Sequence, residues 1–219
     1  MRYASSLLVV ASVSTLAFAE PPEGDVLITV ENNTLTIGLI AEDESFTVAG
    51  TRVFYGALGL DVPNVGEDPG FKALAGTFSP GGFAGFDILG SLQKWDGSAF
   101  TTGQSETMTV SFGPASVTTP ILNAFTAGFD IAVDPDGSWH HHPFFELNGP
   151  ASDGVYLIPL QFRKDGFGTS LPVWILWGQN ADEASADAAF AAATATIPTP
   201  GTLAPLAAAA LAVRRRRPR

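Results

Sequence analysis

All three histidines of the chain are contiguous, at His140, His141 and His142. On a β-strand, His140 and His142 point to one face and His141 to the other, because side chains alternate along a strand. Two neutral imidazoles spaced in this way suit zinc, copper or nickel. Glu146 is the candidate third ligand, since it shares the even-numbered face. These residues predict a divalent-metal site of His140, His142 and Glu146, with Zn²⁺ as the expected cofactor.

Two features of the same segment support an alternative interpretation. Phe144 lies between His142 and Glu146 on the predicted face, and Pro143 can bend the strand and change which face each side chain occupies. Zinc sites in proteins generally use three or four protein ligands. The alternative is therefore a solvent-exposed strand end without an ion. The preceding segment, residues 134–137, lacks the spaced acids of an EF-hand loop and predicts a simple turn.

Other kinds of catalytic or binding site find little support in the sequence. The chain has no cysteine, which excludes cysteine nucleophiles and cysteine-ligated metals. It contains no G-x-S-x-G nucleophile elbow and no glycine-rich phosphate loop that ends in lysine. We therefore expect a non-enzymatic protein. Its four tryptophans offer a second alternative, a carbohydrate-binding module, although core positions also explain them; they are Trp95, Trp139, Trp174 and Trp177.

The elements that must position the histidines have β-strand patterns. Residues 25–40 contain two runs of alternating apolar residues around Asn32 and Asn33, which indicates a hairpin. Similar short runs separated by turn residues continue through residues 20–180. This pattern favours a single all-β domain, an antiparallel β-sandwich of jelly-roll type. Pro159 lies within one strand-like run and predicts an edge strand or a bulge there.

Two segments depart from the strand pattern. Residues 68–89 are rich in glycine and predict a long loop with strand fragments. Residues 181–196 are rich in alanine and predict a short helix, with a spacer as the alternative. Asn180 followed by Glu183 is typical of a capping box at the start of that helix.

The N-terminus has the pattern of a secretory signal peptide over residues 1–19. Arg2 supplies the positive charge, residues 7–16 form an apolar run, and a small-x-small triplet places Ala17 and Ala19 before Glu20. We therefore predict export, with cleavage by signal peptidase after Ala19.

The C-terminus, residues 197–219, combines three features. Pro198, Thr199, Pro200 and Gly201 precede the apolar run 203–213, and a cluster of arginines, Arg214, Arg215, Arg216 and Arg217, follows it. Eleven apolar residues fall short of the approximately 20 that a membrane-spanning helix needs. The arginines are expected to stay on the cytoplasmic side. The tail therefore predicts a transient contact with the inner membrane.

This three-part tail resembles the PEP-CTERM sorting signal, with threonine where the family name has glutamate. The resemblance implies an exosortase-type processing enzyme as a partner, and delivery to the cell surface or to the extracellular, exopolysaccharide matrix. A looser resemblance, to β-rich PEP-CTERM proteins with a histidine-containing strand, extends over about 110 residues and includes Gly154, Tyr156 and Leu160. It implies zinc association at residues 140–142.

The charge of the expected exported part excludes one class of partner. All 22 acidic residues lie within residues 20–197, together with five basic residues, so this part carries a net charge of −17. Nucleic-acid binding through phosphate contacts requires clustered lysine and arginine. We therefore expect no nucleic-acid partner. Cation binding or a role in a hydrated matrix fits this charge, and so does a purely solubilising surface.

Overall fold

The computed structural model describes residues 23–197, which form an all-β sandwich with one C-terminal helix. The strands are β1 (Asp25–Glu31), β2 (Thr34–Ile40), β3 (Thr47–Ala49), β4 (Val53–Leu58), β5 (Val65–Gly66), β6 (Phe71–Ala73), β7 (Phe83–Ile88), β8 (Gln93–Trp95), β9 (Phe100–Thr101), β10 (Thr107–Phe112), β11 (Ala115–Thr118), β12 (Asp130–Ala132), β13 (Trp139–His141), β14 (Phe144–Asn148), β15 (Gly154–Lys164) and β16 (Val173–Gln179). The helix, α1, spans Glu183–Thr196. The predicted fold class is thus confirmed.

The strands form three sheets. A five-stranded sheet has the order β13-β6-β1-β2-β3, and a four-stranded sheet has the order β11-β10-β14-β5. The third and largest sheet runs β12-β7-β15-β16-β4, with β8 and β9 attached beside β15. Among these strands, the pairs β1–β6 and β16–β4 are parallel, and the other pairs are antiparallel. One continuous apolar core, with residues from all three sheets, holds them together.

The predicted hairpin is the clearest agreement between sequence pattern and structure. β1 and β2 pair in full register around Asn32 and Asn33, whose φ angles are +48° and +61°. Positive φ at both central residues is what a two-residue type I′ turn requires, and asparagine tolerates it. The alternating residues Val26, Ile28 and Leu39 are buried in the core. Asp25, one position earlier, therefore belongs to the opposite face of β1.

The glycine-rich segment 68–89 corrects a prediction. It contains strands, as predicted, but β6 and β7 are both inner strands of their sheets and not fragments within a long loop. Gly85 shows why glycine is used there: a Cβ at this position would lie 2.3 Å from the carbonyl oxygen of Phe129. Close approach of a neighbouring backbone thus selects glycine within a strand.

Pro159 also lies in an unexpected place. It belongs to β15, an inner strand of the seven-stranded sheet, and not to an edge. Its carbonyl oxygen accepts a hydrogen bond from the Leu89 amide, so its nitrogen faces the same side. On that side the partner of β15 changes from β7 at Leu160 to β8 at Leu157. The missing N–H therefore falls in the gap between two ladders and costs no hydrogen bond.

Helix α1 lies within the predicted alanine-rich segment but begins at a different cap. Asp182 is the N-cap and accepts a hydrogen bond from the Ser185 amide. Asn180, the predicted cap, instead donates to Asp153. Ala189 and Ala193 pack against the outer face of the seven-stranded sheet and form a second, smaller core. Within residues 23–197, no helix is long and apolar enough to cross a membrane.

Candidate metal centre

The histidine strand β13 places its side chains as the alternation predicts. Trp139 is fully buried, and His141 packs edge-on against it with ring centroids 5.2 Å apart. His140 and His142 point to the opposite face, where their side chains remain 43% and 34% exposed. Burial lowers the pKa of His141, which favours a neutral ring on the core side. His141 therefore faces the core, and His140 and His142 are the two histidines that reach the outer face.

The five-stranded sheet brings a third ligand to these two rings. β6 lies between β13 and β1, with its Phe71 opposite His141 on β13 and opposite Val26 on β1. Continuing both registers by one residue puts Asp25 and His142 on either side of Gly70. Asp25 is 3% exposed, and its Oδ1 accepts a hydrogen bond from the Gly70 amide at 2.8 Å.

Gly70 makes this arrangement possible. A Cβ at this position would lie 2.6 Å from Cε1 of His142 and 2.8 Å from Oδ1 of Asp25. Contacts under 3.0 Å would force one of these side chains to move. Glycine thus leaves room for the ends of these two side chains to meet above it, and its backbone conformation is not what requires it.

The candidate ligand atoms of these three residues lie within 4.8 Å of one another. Nε2 of His140 lies 3.0 Å from Nε2 of His142 and 3.1 Å from Oδ2 of Asp25. Nε2 of His142 lies 4.0 Å from Oδ1 of Asp25. Two ligands of a tetrahedral zinc ion with bonds near 2.05 Å are about 3.3 Å apart. This group of Asp25, His140 and His142 could hold a metal ion.

A second carboxylate orients one of the rings. Nδ1 of His142 lies 2.8 Å from Oδ1 of Asp68. A carboxylate oxygen accepts, so Nδ1 carries the proton and Nε2 presents its lone pair towards Asp25 and His140. Carboxylates that hold a histidine in this way are typical of zinc sites, where they fix the ring and increase its basicity.

The surroundings of the site are strongly acidic. The open pocket above the three ligands has a volume of about 370 Å³ and is also lined by Glu42, Glu67 and Asp68. No lysine or arginine lines this pocket within the described part of the chain. Lys72, which lies opposite His140 on β6, forms an ion pair with Glu44. The negative surroundings favour a cation over an anion at this site.

Glu146, the third ligand predicted from sequence, lies outside this group. It sits on β14, opposite Thr109 and Val65, in the four-stranded sheet. Pro143 separates β13 from β14, and the chain changes sheets at that point. The assumption that one regular strand carries His140 and Glu146 does not hold. Asp25 takes the position that the sequence analysis gave to Glu146.

Three residues that build the site escaped the sequence analysis. Asp25 is 115 residues from His140 and has no local pattern that distinguishes it from the other acids. Gly70 and Asp68 lie in the segment predicted as a loop. The sequence indicated only that Asp25 lies on the outward face of a predicted strand. Acidic residues are common on such faces, so this position did not mark it as a ligand.

The remaining predicted sites divide between the core and the chain ends. Trp139 and Trp177 are fully buried, and Trp95 and Trp174 are half-buried against the second core, so all four have packing contacts. Residues 134–137 form the predicted turn, closed by a hydrogen bond from the Gly137 amide to the Asp134 carbonyl. The predicted cleavage residues Ala17 and Ala19, the motif 198–201 and the arginines 214–217 lie outside the described residues.

A second buried carboxylate, Glu106, forms a different kind of polar cluster. It accepts hydrogen bonds from Ser105, Ser152 and Tyr156, and Lys94 donates to Ser152. Burial alone would raise the pKa of Glu106, but these hydrogen bonds outweigh burial and lower it. The cluster joins the start of β10 to β8 and β15, and every member has a partner.

Comparisons with known proteins returned no match among family models, curated proteins or solved structures. Its function must therefore be inferred from the residues themselves.

Proposed function

We propose that this protein binds a divalent transition metal, with zinc as the expected ion, through Asp25, His140 and His142. The observation that carries the proposal is that one ligand atom from each of Asp25, His140 and His142 lies within 4.8 Å of the other two, on the outer face of three adjacent strands. Two imidazole nitrogens and one carboxylate oxygen are a common zinc donor set.

The donor set also discriminates among ions. Calcium and magnesium prefer oxygen ligands only, so the two imidazoles disfavour them. Copper and nickel accept the same donors as zinc, and copper is bound more tightly by most such sites. Asp68 supports the choice of zinc, because a carboxylate behind a ligating histidine is a recurrent feature of zinc centres.

Titration of the purified protein with Zn²⁺ against a chromophoric chelator tests the proposal. The unsubstituted protein is expected to bind one equivalent of zinc. The double variant His140→Ala/His142→Ala is expected to lose at least about 100-fold in affinity, since it removes both nitrogen donors. His141→Ala is the matched control, because it removes an imidazole from the other face of the same strand.

Two results would contradict the proposal. One is the absence of zinc binding by the unsubstituted protein while circular dichroism shows a folded β-structure. The other is equal affinity in the double variant and in the unsubstituted protein.

We further propose that the metal-binding domain is exported and displayed at the cell surface or in the extracellular matrix, as a non-enzymatic protein. The sequences of the two chain ends and the net charge of −17 over residues 20–197 support this setting. Replacing Arg214, Arg215, Arg216 and Arg217 by serine is expected to change processing of the tail. Mass spectrometry of the two termini in both proteins measures this, and identical masses and location would refute the sorting role.

A further inference from the structure

A larger cavity adjoins the candidate metal centre. It has a volume of about 570 Å³ and lies between β4, β5 and the first turn of α1. Asp25, Glu42, Glu67 and Asp68 line both this cavity and the metal pocket, so the two spaces are adjacent. We call the larger one the acidic groove. Its volume falls within the roughly 300–1,000 Å³ that is usual for small-molecule sites.

The lining of the groove combines negative charge with apolar surface. Beyond the residues shared with the metal pocket, its carboxylates belong to Glu23, Asp61, Glu183 and Asp187. No lysine, arginine or histidine lines the groove within residues 23–197. Burial raises the pKa of the Tyr55 hydroxyl, and the charge of Asp187 raises it further, which agrees with a negative potential in the groove.

Apolar side chains stand between these carboxylates. Leu60, Val62 and Phe144 line the groove and are 81%, 55% and 49% exposed. Exposed apolar side chains on a concave surface are a common feature of ligand sites. A ligand that suits this lining must carry several positive charges separated by aliphatic segments.

The metal centre adds an independent requirement. Asp25, His140 and His142 provide three protein ligands, whereas a closed structural zinc site has four. The two imidazoles are partly exposed, and Asp25 lines the groove as well as the metal pocket. The fourth coordination position is therefore open to a donor atom that arrives from outside the protein.

We infer that the acidic groove binds a linear aliphatic polyamine, one nitrogen of which fills the open position on the metal. This inference rests on the proposed metal site. The coordinating nitrogen releases its proton to solvent, and the remaining ammonium groups pair with groove carboxylates. The methylene segments contact Leu60, Val62 and Phe144. An anionic ligand of the same length is disfavoured because it would face carboxylates on every side.

Cobalt(II) in place of zinc gives the test a visible readout, because its absorption bands report changes in coordination. Spermidine is added to the cobalt-loaded full chain at physiological salt, with 1,8-octanediol and adipate as neutral and anionic comparisons. Spermidine is expected to shift the cobalt bands with saturation, and the two comparison compounds are not.

Groove variants locate the interaction. Asp61→Asn/Asp187→Asn is expected to weaken spermidine binding about fivefold, the effect of two partly exposed ion pairs. Glu146→Gln/Asp165→Asn removes the same charge from positions outside the groove and is expected to leave the affinity unchanged. Cobalt binding itself is expected to be the same in both double variants.

Each contrary outcome has a distinct meaning. If no cobalt bands appear, the metal site and the polyamine site are both refuted. If the bands appear but spermidine leaves them unchanged, the polyamine inference alone fails. It also fails if Mg²⁺ displaces spermidine at equal concentration, or if the two double variants weaken binding equally, because attraction by net charge then accounts for the result.

Discussion

Two buried carboxylates, Asp25 and Glu106, have opposite relations to their surroundings. Glu106 is 7% exposed and receives hydrogen bonds from hydroxyl groups of three neighbouring residues. Asp25 is 3% exposed and receives one backbone N–H, while two ring nitrogens face it from a partly exposed side. The first cluster is complete in itself. The second brings together three candidate metal ligands and stays open to solvent on the side of the two histidines.

This difference separates a structural cluster from a candidate binding site. Both clusters include residues from several strands. In both, burying the carboxylate costs free energy unless other groups pair with it or donate hydrogen bonds to it. Hydroxyl groups of the protein donate hydrogen bonds to the Glu106 carboxylate, so this carboxylate needs no ligand to stabilise it. Two imidazole nitrogens 3.0 Å apart beside a carboxylate are better satisfied when one cation binds all three.

Among the substitutions that test this difference, Gly70→Ala is expected to have the largest effect on zinc affinity. The added Cβ would meet both His142 and Asp25 at less than 3 Å, so the two ligands must separate. Zinc affinity is expected to fall at least about 100-fold, comparable with the upper range for losing a supporting residue. Chelator competition measures it. Gly168→Ala is the control, because its Cβ would meet only Thr34, at 3.0 Å. Unchanged affinity in Gly70→Ala would show that the three residues do not share an ion.

A smaller effect is expected from Asp68→Ala. This change removes the carboxylate that orients His142 but leaves all three ligands in place. The expected loss of zinc affinity is about 10- to 100-fold, with partial recovery in Asp68→Asn, whose amide oxygen still accepts the Nδ1 proton. Zinc titration of Glu146→Ala supplies the matched control, and its affinity is expected to equal that of the unsubstituted protein. A loss as large in Glu146→Ala would restore Glu146 as a ligand.

Glu106→Gln tests the structural role of the Glu106 cluster, and we expect it to leave zinc affinity unchanged. The variant is expected to lose about 1–3 kcal/mol of folding stability in urea denaturation, because its partners remain buried and poorly matched. Since the folded state lowers the pKa of Glu106 from 4.5, its contribution is present above pH 4.5 and is lost as pH falls through the lower, folded-state value. The stability difference from the unsubstituted protein is therefore expected to shrink in acid. A constant difference would argue against a charged Glu106.

Part of the site was predictable because it depends on local geometry. His140 and His142 share a face through the two-residue period of a strand, and Trp139 and His141 turn inward for the same reason. The hairpin at Asn32 and Asn33 was predictable on equal grounds, since the turn type needs residues that tolerate positive φ.

The glycine-rich segment shows why the rest could not be predicted. Gly70 follows Pro69 in a stretch whose composition is typical of turns, and composition carries no information about the strands on either side. Its role depends on β1 pairing with β6 in parallel and on β13 pairing with β6 in antiparallel orientation. Neither register is encoded in any local pattern.

The sequence by itself determined the all-β class, the acidic character of the domain and the shared face of the two histidines, because composition and strand period act over a few residues. Only the tertiary structure decided that Asp25, Asp68 and Gly70 lie beside the two histidines and that Glu146 does not. That choice depends on which strands become neighbours, and burial of the common apolar core brings together residues that are distant along the chain.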